Sequence, residues 1–496
     1  MPGPAGDRRA DAPWHELDRR SPAVTAFVVA GIAFASAVPA FVNVRDNGLP
    51  HWQVLAMFTV GFLVVVGGAA LVERMRWRHT RYRVTDERVE LRFSWVVHRL
   101  RSVPRDRIRT VDLTANPLLR LFGVVRMQIG TGQHGGQNSQ LVLNPLDRRL
   151  AERLRSELLT RTSPTPAPAE RPEEAGQQAG AVAPIAELRW SWIRYAPVSV
   201  TTPILGAAAF GALLQVSDWL GLRETVIGEA GELLRDMPWP ALIGLVVAVG
   251  VVVGVVGSLG LFVELWWGYR LTGEDGMFRV RRGLLTTRSL SLDERRLRGV
   301  EVVEPIGART LRAAKVDVVA TGLRSAGDKE RSDPKTVLPA APIAEAHRVA
   351  ARILGEPRCP TESVRLRRHP LAARRRRVLR ALLATLLPAG VLGLLGLPHI
   401  AWIALAFCLP VAVALALDAY RNLGHGITGG YLVTRYGAAS RRTVALRRSG
   451  VIGWTITSSP FQRRAGLITL AATTAAQKGA YLIRDVGASD GLSFAE

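Results

Sequence analysis

The stretch GTGQHG at Gly130–Gly135 spells GxGxxG, a pattern that can cradle a phosphate. In a dinucleotide site such glycines open a helix, and the helix N-terminus receives the pyrophosphate. Here QNSQLVLNP follows, which reads as a strand, so a hairpin turn is expected instead. No GxxxxGKS or GxxxxGKT loop occurs. The nine histidines are scattered, with no HExxH and no His/Cys cluster at metal spacing. Cys359 and Cys408 are the only cysteines, too few for a disulfide framework or a Cys-rich metal site. No serine or acid stands in a nucleophile-elbow context. These residues propose no enzyme, no cofactor and no metal.

What remains able to do chemistry is positive charge. Arg105, Arg107 and Arg109 alternate along one expected strand edge. Arg295, Arg296 and Arg298 stand at the matching place further on, and Arg447 and Arg448 near it later still. Guanidinium groups in such rows suit anionic lipid heads or an acidic partner segment. The plainer reading is the general positive bias of a cytoplasmic surface. The formal net charge of +24 asks for a polyanionic neighbour, nucleic acid or the anionic face of a membrane. The 48% hydrophobic residues decide between them, because they lie in long uncharged blocks that nucleic-acid binders do not need.

Six of these blocks read as transmembrane helices, roughly 23–44, 52–72, 196–216, 239–263, 378–397 and 400–417. They come as three pairs. The last pair has a tight GLPH turn and carries Pro388 and Pro410, so a re-entrant hairpin is its alternative. The loops inside the pairs hold only Arg45, Arg223 and Arg235 of the 65 Lys and Arg, which places both termini and the large soluble segments in the cytoplasm. Arg374–Arg377 precede the fifth span. Glu73, Glu264 and Asp418 occur at span ends, where an acid at the interface is the expected reading rather than a mark of an ion path. The first twenty residues are polar, so no signal peptide is expected there.

After each pair the period changes to two. YRVT at Tyr82–Thr85, YRLT at Tyr269–Thr272 and YLVT at Tyr431–Thr434 each read as the first strand of a hairpin leaving the membrane. The parallel continues. At a constant offset Pro117 falls on Pro460, Arg120 on Arg463, Gly123 on Gly466 and Thr131 on Thr474; in the middle unit Pro305 and Thr321 are the counterparts after one extra residue. The first two units end in amphipathic helices, LDRRLAERLRSELL with Leu146, Leu150, Leu154 and Leu158 on one stripe, and IAEAHRVAARIL. The third ends in ASDGLSFAE with no such helix expected.

Hairpins followed by YxVT, a VPxxRI segment and an LxRxFG turn resemble the YdbS/YdbT-like bacterial membrane proteins with bacterial pleckstrin-homology (PH) domains. The match is carried by Tyr82, Thr85, Pro104, Arg107, Ile108, Leu118, Arg120, Phe122 and Gly123. The second unit has Leu311-Arg312-Ala313-Ala314 instead of the Phe-Gly pair, and the third keeps Arg463 and Gly466 without the Phe. The resemblance implies a split β-barrel of about seven strands with a capping helix, and it says little about activity. Membrane α-helical hairpins plus three cytoplasmic PH-like domains are therefore expected, with capping helices in the first two. The divisions are a tail 1–22, hairpin 23–72, domain 73–160, a Pro/Ala/Glu-rich linker 161–184, hairpin 185–265, domain 266–356, basic linker 357–377, hairpin 378–417 and domain 418–496. A multi-pass protein of the bacterial cytoplasmic membrane, N-in and C-in, would bind or scaffold there. Its partners would be anionic inner-leaflet lipids, another membrane protein or itself, and no nucleic acid. The resemblance loosely implies a role in envelope stress or resistance to membrane-active peptides. The alternative is a transporter or lipid-handling protein using the paired helices as a pathway, but these spans offer almost no polar lining.

Overall fold

The computed structural model describes residues 13–45, 50–94, 98–108, 110–130, 140–160, 183–199, 201–219, 237–274, 276–321, 335–476 and 479–495. Arg109, Thr131, most of the glycine-rich turn and nearly all of the 161–184 linker lie outside that set. The chain falls into two compact units. One is Met1–Ala183 with Val200–Arg270 and Arg279–Ser291; the other is Pro184–Ser199 with Leu271–Phe278 and Leu292–Glu496.

The elements repeat three times along the chain. The first set is β1 (His15–Glu16), α1 (Ser21–Arg45), α2 (His51–Arg78), β2 (Thr80–Val84), β3 (Arg88–Ser94), β4 (His98–Pro104), β5 (Thr110–Ala115), α3 (Pro117–Leu121), β6 (Val124–Gly130), β7 (Gln140–Asp147) and α4 (Arg148–Thr160). The second is β8 (Ala186–Glu187), α5 (Thr201–Trp219), α6 (Trp239–Trp266), β9 (Arg270–Glu274), β10 (Met277–Arg282), β11 (Thr287–Asp293), β12 (Leu297–Pro305), α7 (Ile306–Thr310), β13 (Ala313–Ala320), β14 (Thr336–Pro342) and α8 (Ile343–Leu354). After the short α9 (Pro360–Ser363) come α10 (Leu371–Leu394), α11 (Pro398–Arg421), β15 (Gly424–Thr428), β16 (Tyr431–Tyr436), β17 (Ser440–Arg447), β18 (Val451–Thr457), α12 (Pro460–Arg464), β19 (Leu467–Thr474), β20 (Ala480–Gly487) and α13 (Ala488–Ala495).

Among the described residues four helices, α2, α6, α10 and α11, are long and apolar enough to cross a membrane, and α1 and α5 are apolar over shorter stretches, Ser21–Ala37 and Thr201–Val216. Their large apolar side chains, Leu63, Val64, Val252 and Phe407 among them, are exposed, as lipid-facing residues must be. Pro388 and Pro410 lie inside continuous helices, so neither breaks its element. Helices α5 and α6 approach closely. A Cβ added at Gly206 would land on the Gly250 carbonyl, and one at Gly254 on the Thr202 carbonyl. Small residues spaced by four are what lets helix backbones meet in lipid. The acids at the helix ends hold neighbouring segments. Glu73 accepts from Ser21 Oγ at 2.6 Å and from Arg76, Glu264 accepts from the Leu285 and Thr286 amides at 3.0 Å, and Asp418 accepts from Arg309 at 2.7 Å and from the Ala439 amide at 3.2 Å.

In the first unit, Tyr82, Val89, Ile108, Val111, Met127, Ile129 and Leu143 form a core closed by Ala151, Leu154 and Leu158 of α4. Each buried Val, Leu, Ile or Met among them contributes roughly 1.5–3 kcal/mol. The helix begins at Arg148, so Leu146 belongs to β7 instead of the helix stripe, and Leu150 faces out. A sheet β1-β2-β3-β4 stands beside β7-β6-β5, and β5 continues antiparallel into β11 through Ala115–Thr287, Thr114–Arg288 and Leu113–Ser289. In the second unit, β14-β13-β12-β17-β16-β15 form one sheet and β18-β19-β20 another. There β12 pairs with β17 from Gly299–Leu446 to Pro305–Ser440.

Three expectations change. First, YLVT at Tyr431–Thr434 lies on β16, the second strand of its meander. Thr428 pairs with Tyr431 across Gly429-Gly430, as Thr85 meets Arg88 across Asp86-Glu87, so the counterpart of YRVT is HGIT and His425 stands where Tyr82 does. Alternating β-branched letters recur on both strands, and a match by letters cannot tell a slip of one whole strand. Second, Pro305 is the N-cap of α7, matching Asn116 and Ser459, while Ile306 occupies the position of Pro117 and Pro460. Arg309 then matches Arg120 and Arg463, and Arg312 (φ 52°) matches Gly123 (φ 70°) and Gly466 (φ 64°). The left-handed residue after the one-turn helix is thus kept without glycine. Third, the last unit does end in a helix, α13, whose Phe494 packs on the core of that domain. Glycine and serine hid its amphipathic pattern.

Candidate functional site

A basic cavity of about 260 Å³ opens at the foot of α10, lined by Arg376, Arg377, Arg380, Gln462, Thr469, Arg484 and Asp485. The run Arg374–Arg377 forms the first turns of α10, and Arg376 and Arg380 share a helix face at i, i+4. Asp485 sits in β20 with φ 60°, a left-handed conformation that a short polar side chain tolerates better than most. It is 2% exposed and accepts from Arg376, from Arg377 Nη2 at 3.1 Å and from Gln462 Nε2 at 3.0 Å. Gln462 is fixed by a reciprocal cap. Its amide N–H donates to Ser459 Oγ at 3.2 Å, and the Ser459 amide donates to Gln462 Oε1 at 3.0 Å. One carboxylate therefore holds two of four guanidiniums. Arg380 and Arg484 are exposed and face the cavity, with no acidic partner among the described residues. Such an arrangement can hold an anionic oxygen group by charge-assisted hydrogen bonds.

Two buried histidines lie beside this cluster. His369 Nδ1 is 3.0 Å from the Asp485 carbonyl, and His425 Nδ1 is 3.1 Å from His369 Nε2. A carbonyl only accepts, so His369 Nδ1 carries the hydrogen and its Nε2 accepts from His425 Nδ1–H. His425 Nε2 is left buried without a hydrogen-bond partner among the described residues. Burial, then the neighbouring His369 and Arg367, pull His425 down to about 4, against a smaller upward pull from Asp490. Burial also lowers His369, which carbonyl contacts partly offset. Both rings are neutral at neutral pH.

Among the described residues, the arginines singled out by spacing do not share a strand edge. Arg105 begins a 3-10 turn, Arg105–Arg107, and is buried, donating to the Thr85 carbonyl at 3.0 Å and to Glu157 at 3.2 Å. The Arg107 side chain and Arg109 fall outside the described residues. Arg295 and Arg296 lie on the equivalent turn; Arg295 is exposed, and Arg296 is buried with Asp293 at 3.5 Å. Arg298 is on β12, Arg447 donates to the Leu354 carbonyl at 3.0 Å, and Arg448 is exposed on the third such turn. A tight turn after a strand replaces an alternating edge because Pro104, Asp293 and Arg447 all leave their strands as N-caps of that turn.

The residues of the repeated motif are structural. Tyr82 and Tyr269 are each 2% exposed, and Tyr431 and Thr434 are buried in β16. Thr85 Oγ1 closes its turn on the Arg88 amide at 3.0 Å, and Thr272 lies within β9. Phe122 stacks edge-on against Phe27, and Arg120 donates to the Leu284 carbonyl. His369, His425, Arg484 and Asp485 were missed by the reading from sequence. The Arg374–Arg377 run was legible as a topology signal, but only the fold sets it against Asp485.

A family model described as bacterial PH domain matches residues 26–162, 215–356 and 379–495. The chain is 20% identical over 271 residues to the UPF0699 transmembrane protein YdbT of Bacillus subtilis (strain 168), covering 52% of each chain. It thus spans about half the length of that curated relative. No solved structure matches.

Proposed function

Because the chain belongs to the bacterial PH domain family and carries that domain three times, we propose that it is a multi-pass scaffold of the bacterial cytoplasmic membrane, N-in and C-in. Its domains grip the anionic inner leaflet. The observation that carries this reading is the pair Arg380 and Arg484, exposed and with no acidic partner among the described residues, Arg380 lying on a helix long enough to span the bilayer and Arg484 beside it in the same cavity. A phosphate-bearing lipid head entering there meets cations already positioned by Asp485. Arg380 and Arg484 would recruit it at about 1 kcal/mol each, together roughly thirtyfold in affinity.

The full chain in nanodiscs of mixed zwitterionic and anionic lipid tests this. Native mass spectrometry should find anionic lipid retained preferentially, and Arg380→Gln with Arg484→Gln should abolish that preference. Equal retention by both proteins would remove the lipid reading and leave a protein partner for the pocket. The orientation is tested separately. Cysteine at Asn47 or Glu229 should react with an impermeant thiol reagent outside intact cells, and cysteine at Gly135 or Gly327 should not.

A further inference from the structure

The sheet junctions within this chain follow one rule. In both, the strand that precedes the one-turn helix accepts, along its outer edge, the third meander strand of the next repeat: β5 takes β11 and β12 takes β17. The registers coincide. Counting back from the N-caps Asn116 and Pro305, and back from the first residues of the 3-10 turns, Glu294 and Arg448, the pairs Ala115–Thr287 and Glu304–Arg441 are equivalent. The same holds for Leu113–Ser289 and Val302–Thr443.

The series leaves two ends. β18 is the counterpart of β5 and β12, and β4 is the counterpart of β11 and β17. Each is the last strand of its sheet among the described residues. β18 carries a register irregularity at Val451/Gly453 where β12 has one at Leu297/Gly299, so the two strands correspond position by position. Their environments differ. Val302 is 1% exposed beneath β17, while its counterpart Ile456 is 47% exposed. On β4, Leu100 stands where Ser289 and Thr443 do and is 62% exposed. A Cβ on Gly299 would land on the Ala445 carbonyl of the paired strand, whereas Gly453, at the same position, has nothing within 4 Å. β18 reads VIGWTIT, an apolar, β-branched edge with no charge and no proline, which isolated proteins normally avoid.

We propose that β18 of one molecule pairs antiparallel with β4 of a second copy, in the register of the two internal junctions, so that copies associate head to tail. Ile456 then faces Leu100 and Thr455 faces Arg101. The occupant is a second copy because the protein uses this contact twice within itself, and the two complementary halves are the two left over. A heterologous contact of this kind builds rings or open chains, not closed two-fold dimers. One difference tunes it. The internal junctions carry Asp112 and Glu301 at the position of Thr455, and Glu301 accepts from Arg442 at 2.9 Å. Lacking that acid, the intermolecular junction is weaker than the internal ones and therefore reversible.

The test uses the full chain in detergent micelles, with Cys359→Ser and Cys408→Ser and a short bis-maleimide cross-linker. Leu100→Cys and Ile456→Cys, each alone, should stay single. Mixed, they should give a dimer, and the doubly substituted chain should give a ladder of higher masses. Thr455→Lys, which places a charge on the edge, should abolish the ladder without lowering the melting temperature. Dimers from either single variant alone, cross-links confined to single-chain mass, or no cross-link at any concentration would overturn the proposal. The outcome is independent of the lipid pocket, whose arginines this experiment leaves intact.

Discussion

His425 makes the third domain's stability depend on mildly acidic pH. Its pKa falls from 6.5 to about 4 on folding. The folded value is depressed, so the folded state stays neutral where the unfolded chain already binds a proton. Stability is fully present above about pH 6.5 and is lost as pH falls toward about 4, with a total of roughly 3 kcal/mol at 1.36 kcal/mol per pKa unit. The geometry gives the reason. The extra proton would go on His425 Nε2, which is buried and has no acceptor among the described residues, while Nδ1 is committed to His369. His369, also lowered, adds in the same direction. Thermal unfolding of the full chain in detergent, followed from neutral pH to about 4.5, reads this directly, since 1 kcal/mol moves a domain of this size by about 4–8 °C. His425→Phe keeps the ring's place against Phe494 and removes the titration. It leaves His369 Nε2 without a donor, so its melting point should start lower, but its decline with acid should be shallower by several degrees. Carboxylates titrate alike in both proteins and cancel in the comparison. Parallel declines would refute the reasoning.

Asp485→Ala should destabilise the third domain by about 3–5 kcal/mol, because Arg376 and Arg377 lose their shared carboxylate. Asp485→Asn, which tolerates the positive φ and keeps the Gln462 contact, should cost less by calorimetry of the same chain. Gly254→Val should force α5 and α6 apart at the Thr202 carbonyl, read as lost cross-linking between cysteines placed on the two helices; unchanged cross-linking would contradict the close approach. Gly123→Val meets both φ 70° and Arg20 Nη1 at 3.1 Å and should lower the melting temperature, at about 1–2 kcal/mol for the conformation alone. Arg312→Gly, at the equivalent position, should be neutral or slightly stabilising, because relief of the left-handed strain offsets glycine's added freedom in the unfolded chain.

The sequence by itself determined the membrane character, the number of repeats and the family, because each is written in local pattern. Uncharged runs such as VVAVGVVVGVVGSLGLFV can be nothing but lipid-facing or deeply buried, and period-two stretches such as YRVTDERVELRF make strands wherever they fall. Strand identity was less secure. HGIT carries a glycine and a histidine where YRVT has arginine and tyrosine, and only the pairing of Thr428 with Tyr431 showed which strand comes first. Tertiary structure alone decided the site and the junctions. Asp485 is 108 residues from Arg377, and no local pattern brings them together; the hairpin that opens with α10 and the strand that closes the domain do so. The same holds for the edges. β12 and β18 hold the same place in their repeats, but β12 is buried by β17 and β18 is the last strand of its sheet among the described residues, because burial belongs to whatever lies alongside a strand and not to the strand itself.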